Sequence, residues 1–327
     1  RPDVPWPKTP AGSPIVEADV GERGLTLAQF FSLARYICRL CRTGILRHGR
    51  APRGREHEIR ANQRVHWTSI TMHEVCELVI KPIIAHHGER CSWSAFVNGG
   101  RARPPDLFIS HSWSQPFRDF VTTLKILAKE RGLTAGDVIW ICTFANNQFD
   151  LDLGKDLIRS PFFAALRNEQ CGTMALFLDR SATSLSRSWC NFELAVVTDT
   201  ERNRTYWQQL QRTTDGPSFE PPVLEQMPSS SNQSDKALML CTAAGLVGTR
   251  RVTSGPVLDA LRRLDCRDAN SSDPADRRSI LNYIVNRYLE EPAPDEARLV
   301  SGLRRLHIEE EEEDEEKKEM KKKKEKK

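Results

Sequence analysis

Glu193 is the residue whose type and setting point most directly to chemistry. It follows Ser188-Trp189-Cys190-Asn191-Phe192, so a helix through this run carries a single carboxylate on a largely apolar and aromatic surface. A carboxylate sheltered from water can stabilise a developing positive charge. The ordinary alternative is a surface or salt-bridged glutamate, or one placed to complement the helix macrodipole, worth about 0.3 to 1 kcal/mol within the first turn. A helix beginning near Ser186 or Ser188 puts Glu193 beyond that turn, where the dipole explains it poorly. Other groups with chemical reach lie elsewhere in the chain. Ser110, His111, Ser112 and Trp113 follow a short apolar run: the serines offer polar contacts, His111 can bind a phosphate or order the loop, and Trp113 can stack on a ring or cover the end of the domain. Asn146 and Asn147 can read an amide or purine edge, although paired Asn is also common in turns. Phe144 and Trp189 are candidates for excluding water from such a site, and Cys190 reads as helix packing.

Familiar catalytic motifs are missing. The chain has no Gly-x-Gly-x-x-Gly after a strand, no Gly-Lys-Ser/Thr phosphate loop, no Gly-x-Ser-x-Gly elbow and no His-Glu-x-x-His. Hydride transfer, ATP hydrolysis, serine esterase and zinc protease chemistry thereby lose their main support. Cys38 and Cys41 form a lone Cys-x-x-Cys within a helical pattern, with no second pair to complete a tetrahedral metal site, so no metal is expected.

The elements that must position these residues begin with a Pro- and Gly-rich leader, residues 1–24, read as disordered. A helical N-terminal region, residues 25–104, follows. Its first helix sets Leu27, Phe30, Phe31, Ala34, Ile37 and Cys41 against Arg35, Arg39 and Arg42, and is expected to dock on the main domain. A second runs from about Ser69 to Ala85, with Pro82 expected to kink or end it. Residues 105–290 then alternate short strands and helices, the pattern of a parallel sheet with crossovers. Strands are predicted at Leu107–Ser110, Val138–Thr143, Thr173–Leu178 and Ala237–Thr242, with a weaker fifth near Leu264–Ala269. Ser160-Pro161 opens one helix and Asp273-Pro274 the last. Residues 203–236 read as a polar insertion and 291–327 as a linker with a disordered, charged tail. The fold class expected is therefore α/β, a flavodoxin-like parallel sheet of about five strands with helices on both faces. In a 2-1-3-4-5 strand order, ligands bind at the carboxyl ends where the winding reverses. Ser110–Ser114, Asp179–Ser184, the Glu193 helix and Asn146-Asn147 would converge there.

Composition sets the class. With 39% hydrophobic and 28% charged residues, the chain has no uncharged apolar run long enough for a transmembrane segment. Nine cysteines, odd in number and scattered, favour a reducing, cytoplasmic compartment. A net charge of +4 and a basic stretch (Arg47, Arg50, Arg53, Arg55, Arg60) without interleaved aromatics give no case for a nucleic-acid partner.

Two segments carry a family resemblance. Asp106-Leu-Phe-Ile-Ser-His-Ser-Trp113 resembles the opening strand of Toll/interleukin-1-receptor (TIR) domains, and Ser184-Leu-Ser-Arg-Ser-Trp-Cys-Asn-Phe-Glu-Leu194 resembles the entry to their third helix. Gly154 and Leu157 are similar to the second-helix region, and Phe144-Ala-Asn-Asn-Gln148 is similar to TIR-like proteins of algal protists. The Arg-Asp-x-x-Pro-Gly loop and a late Phe-Trp pair are absent, which argues against animal-style adaptor signalling. The resemblance implies cleavage of NAD+ as substrate, with no permanently bound cofactor, Glu193 as the catalytic group and a role in signalling or stress response. It also implies homo-oligomers through TIR–TIR contacts, with other proteins as further partners. The competing reading is a TIR-like self-assembly module without turnover.

Overall fold

The computed structural model describes residues 15–49, 62–151, 153, 157–198, 237–247, 257, 259–260 and 264–288. The first fourteen residues of the leader, Arg50, Arg53, Arg55, Arg60, Gly154, the polar insertion and the charged tail lie outside the described residues.

The strands are β1 (Leu25–Thr26), β2 (Leu107–Ser110), β3 (Val138–Trp140), β4 (Thr173–Leu178), β5 (Ala237–Thr242) and β6 (Gly245–Leu246). They form one six-stranded mixed sheet in the order β1-β3-β2-β4-β5-β6. The inner four are parallel, and β1 and β6 close the edges in antiparallel register. The four expected parallel strands thus stand in the order second, first, third, fourth. The fifth does not form, because Cys266–Asp268 is a 3-10 turn in which Asp265 accepts from the Arg267 backbone.

Side-chain alternation divides the interior in two. Leu107, Ile109, Ile139, Ala175, Phe177, Met239 and Cys241 point to one face, where they meet α1 (Leu27–Thr43) and α5 (Phe117–Arg131). Phe108, Trp140, Met174, Leu176, Leu178, Leu238 and Leu240 point to the other, under α7 (Pro161–Arg167), α8 (Ser188–Val197) and a C-terminal helix, Pro274–Tyr288. β4, buried along its whole length, is apolar but for Thr173 because both of its faces are covered.

The first helix of the N-terminal region packs on the sheet, and the short strand before it joins the sheet's edge. Leu25 pairs with Ile139, and Phe30 packs at 5.9, 5.6 and 6.0 Å from the rings of Phe117, Phe120 and Phe144. α1 starts with a Thr26/Gln29 capping box and stops at Gly44, whose φ of 71° provides the left-handed C-cap. Arg35, Arg39 and Arg42 face solvent as its periodicity requires. Residues 15–24 of the leader are also placed rather than structureless. Asp19 caps a 3-10 turn at Val20–Glu22, the Val20 carbonyl accepts from the Trp140 indole at 2.9 Å, and Arg23 pairs with Glu17 at 3.3 Å.

The helix does not end at Pro82 but continues to His86. α2 (Met72–Val75) widens into a π-helical turn at Cys76–Ile80 before α3 (Lys81–His86), and this wider turn accommodates the missing N–H of Pro82. A short α4 (Trp93–Asn98) leads into β2. β3 is shorter than expected: Cys142 opens a single helical turn, α6 (Cys142–Ala145), which re-aims the strand's exit. Ser160 caps α7 by accepting from Phe163 N–H at 3.2 Å, with Pro161 at the first position. The C-terminal helix, α9 (Pro274–Tyr288), is entered through Asp273, which accepts from Ala275 N–H at 2.8 Å. No helix among the described residues is long and apolar enough to cross a membrane.

Candidate functional site at the carboxyl end of the central strand

α8 carries two faces. Trp189 and Phe192 turn toward the flanking helices: Trp189 lies 4.6 Å from the Phe162 ring and donates its indole N–H to Asp276 at 3.1 Å, and Phe192 meets Tyr283 at 5.0 Å. Cys190, Glu193 and Val197, at spacings of three and four, share the face turned to the sheet. The helix begins at Ser188 with Arg187 as N-cap and no side-chain capping bond. Glu193 is therefore the sixth helical residue, beyond reach of the dipole's favourable end.

Glu193 is 4% exposed, and its Oε2 has no hydrogen-bond partner. Burial pushes its pKa up to about 8, and the nearby Ser110 hydroxyl pulls it slightly back. Ser110 ends β2, on the same side of the sheet as Phe108. Its Oγ comes close enough to influence both Glu193 and Cys190, but completes a hydrogen bond with neither. Cys142, from the end of β3, is pushed up to about 12 by burial first and by the Glu193 charge second. The carboxyl thus sits by the ends of β2 and β3, enclosed by a hydroxyl and two protonated thiols. An unpaired acid in such surroundings is neutral over most of the physiological range.

The loop after β2 forms one wall. The Trp113 indole N–H donates to Cys142 Sγ at 3.2 Å, and its half-buried ring lies 5.0 Å from His73 of α2. The loop is strapped from the N-terminal region by Met72 N–H donating to the Trp113 carbonyl at 3.1 Å and by Phe117 N–H donating to Ile70 at 2.7 Å. The His111 carbonyl accepts from the Cys190 thiol at 3.6 Å. Its ring packs edge-on against Phe120 at 5.1 Å, with Nε2 3.4 Å from Thr143 Oγ1 and Nδ1 unpartnered. Burial lowers the His111 pKa to about 4, so the ring is neutral at pH 7 and orders the loop rather than attracting a phosphate by charge.

The structure therefore brings together Glu193, Ser110, Trp113 and the His111 backbone. It does not bring the remaining expected residues to the carboxyl. Phe144 is fully buried against Phe30, in the core of the opposite face, because α1 covers it. Trp189 braces α7, α8 and α9. Ser112 Oγ accepts from Ser114 N–H within its own turn at 3.3 Å. Asn147 accepts from Phe149 N–H within its own turn and donates to the Arg90 carbonyl, a contact to a distant segment, so its side chain is engaged away from the carboxyl. Asn146 ends α6, buried, with Oδ1 unpartnered. In the loop after β4, Asp179 accepts from Ser181, Thr183 N–H and Thr183 Oγ1, and Ser184 donates to Phe177, so these side chains hold their own turn.

Three residues at the site escaped sequence reasoning: Cys142, His73 and Arg187. Cys142 read as part of a strand, and only the early helical turn redirects it. Arg187 carried a legible signal, since a cation at a helix N-terminus opposes the dipole and needs another reason to be there. Its charge lowers the pKa of His73 and His111 after the larger effect of burial. No group of three or more His, Cys, Asp or Glu side chains among the described residues could hold a metal ion.

No protein-family model matches the chain, and neither a curated protein nor a solved structure shows significant similarity to it.

Proposed function

We propose that the chain carries a TIR-like domain of flavodoxin-like design that cleaves the nicotinamide–ribose bond of NAD+, with Glu193 as the catalytic carboxylate. The observation that carries this reading is a buried carboxyl, 4% exposed and with one oxygen unpartnered, at the carboxyl end of the central parallel strand. The strand order and the two segments that resemble TIR domains support it.

The chemistry suits so sparse a site. An ordinary glycosidase needs two carboxyl groups, because its leaving oxygen must be protonated. In NAD+ the nicotinamide is already cationic. When the C1′–N bond breaks, the electron pair goes to the pyridinium nitrogen, nicotinamide leaves neutral, and positive charge moves to the ribose. Water then adds at C1′ and a proton is released, giving ADP-ribose. One carboxylate is enough to hold the ribose hydroxyls and face the oxocarbenium-like charge.

With a pKa of about 8, Glu193 is mostly the neutral acid at pH 7. A unit positive charge about 4 Å away in a partly desolvated pocket contributes on the order of 4 kcal/mol, against about 1 kcal/mol in bulk water. That larger figure is equivalent to about 3 pKa units, enough to bring the acid down to roughly 5 and ionise it. The same attraction directed at the transition state corresponds to roughly a thousandfold in rate, and the bulk-water figure to less than tenfold. Enclosure of Glu193, with Trp113 as the half-buried wall, is what separates the two.

The test is incubation of the purified chain, concentrated or crowded to permit self-association, with NAD+, following nicotinamide release for wild type and Glu193→Gln. Release from the wild type and its loss by at least a hundredfold in the variant are expected. Release that persists in the variant rejects Glu193, and none from either chain favours an assembly module without turnover.

A further inference from the structure

A buried acid in a folded chain is normally matched by an internal cation, and around Glu193 the described residues provide none. From β2 it meets the Ser110 hydroxyl, from α6 the Cys142 thiol and from its own helix the Cys190 thiol, both thiols held protonated by burial. His111, on the loop after β2, is neutral. The nearby cation, Arg187, couples to Cys190, His111 and His73. From α7, Arg167 lies over the Phe163 ring at 5.4 Å. From α9, Asp276 accepts the Trp189 indole, and Arg277 donates to the Ala269 and Arg267 carbonyls. After β4, Asp179 caps its own turn. Among the described residues no charged side chain forms a hydrogen bond or ion pair with Glu193, and its Oε2 is unpartnered.

We propose that Glu193 makes the crevice selective for a small monocationic pyridinium over its uncharged isostere, binding by exchanging the carboxyl proton for the ligand's charge. The proposal rests on the NAD+ reading for its choice of ligand class and deepens it, since the cation is then selected at binding as well as in the transition state. The step balances: neutral acid plus pyridinium cation gives the carboxylate–pyridinium pair and one proton released to solvent. A neutral ring hydrogen-bonded to the protonated acid gives the opposite behaviour, with affinity falling as pH rises.

The probes are 1-methylnicotinamide cation, which has no ribose bond to cleave, and 3-methylbenzamide, its uncharged isostere. Calorimetry of the full chain in two buffers of different ionisation enthalpy reads affinity and proton release together. The cation is expected to bind on the order of a hundredfold tighter than the isostere at pH 7, releasing close to one proton. Its affinity rises about tenfold per pH unit between pH 6 and 7.5 and levels off above about pH 8. In Glu193→Gln the charge preference and the pH dependence both disappear, while the isostere binds as before. Equal affinities, no proton release, or no binding of either probe overturns the proposal. NAD+ cleavage by a chain that does not discriminate the probes overturns this inference alone. Proton-linked binding of the cation by a chain that never cleaves NAD+ overturns only the hydrolase reading.

Discussion

Replacing Glu193 by Gln is expected to stabilise the fold, and by an amount that depends on pH. The folded-state pKa of Glu193 is about 8 against an ordinary value of 4.5, with burial as the main cause. A pKa raised in the fold means that the folded chain holds the proton more tightly than the unfolded chain. The stability gained from that proton is complete below pH 4.5 and is lost as pH rises to about 8. Gln keeps the shape and neutrality of the protonated acid and loses nothing with pH. At about 1.36 kcal/mol per pKa unit, the variant's advantage is close to zero at or below pH 4.5. It reaches about 1 kcal/mol at pH 5.5, about 3 kcal/mol at pH 7 and nearly 5 kcal/mol well above pH 8. Urea unfolding of both chains, followed by tryptophan fluorescence at pH 5, 6, 7 and 8 with linear extrapolation, measures the difference. A gap that does not change with pH, or a variant less stable than wild type at pH 7, refutes the reasoning. A stabilising substitution at a buried, unpartnered acid is the usual sign of a residue kept for function at a cost in stability.

Three further outcomes follow from the packing and electrostatics. Phe30→Ala should cost about 3 to 5 kcal/mol in a single cooperative urea transition, because α1 shares a core with the sheet; a separate early transition of the N-terminal region would contradict that. Cys142 is pushed up to about 12 and so holds on the order of one thiolate in ten thousand at pH 8; iodoacetamide labelling read by mass spectrometry should find it protected in the native chain and labelled rapidly in urea. Ser110→Ala removes the hydroxyl that eases the Glu193 charge, so the carboxyl's titration midpoint should rise above its wild-type value, measurable by carbon-13 NMR.

Much of the fold was legible because local signals and burial agreed. Leu107–Ser110, Thr173–Leu178 and Ala237–Thr242 form strands where unbroken apolar runs placed them, and Ser160-Pro161 and Asp273-Pro274 open helices through contacts their residue types dictate. The misjudged places are those decided by distant partners. Phe144 read as a cover for the site, but Phe30, 114 residues earlier in the chain, claims it for the opposite core. The early end of β3 depends on a helical turn at Cys142, in a β-rich run whose composition favoured a longer strand. The edge strand Leu25–Thr26 is too short to carry a period and exists because β3 offers it an unpaired edge. At the site, the importance of Glu193 could be read from its place beyond the first helical turn. Arg187, the N-cap of the same helix, carried the signal of a cation at a helix N-terminus, whereas Cys142 and His73 could not be read because each arrives from a separate segment and only tertiary packing brings it in.

The account rests on Glu193 being enclosed and unpaired at the end of β2. Carbon-13 labelling of glutamate carboxyls, with the Glu193 resonance identified by its absence from Glu193→Gln, allows that group to be titrated directly in the ligand-free chain. A midpoint near 8 is expected. A midpoint near 4.5 would place the carboxyl in water or against an unseen cation, and would remove the basis for both the catalytic role and the selection of a cationic ligand.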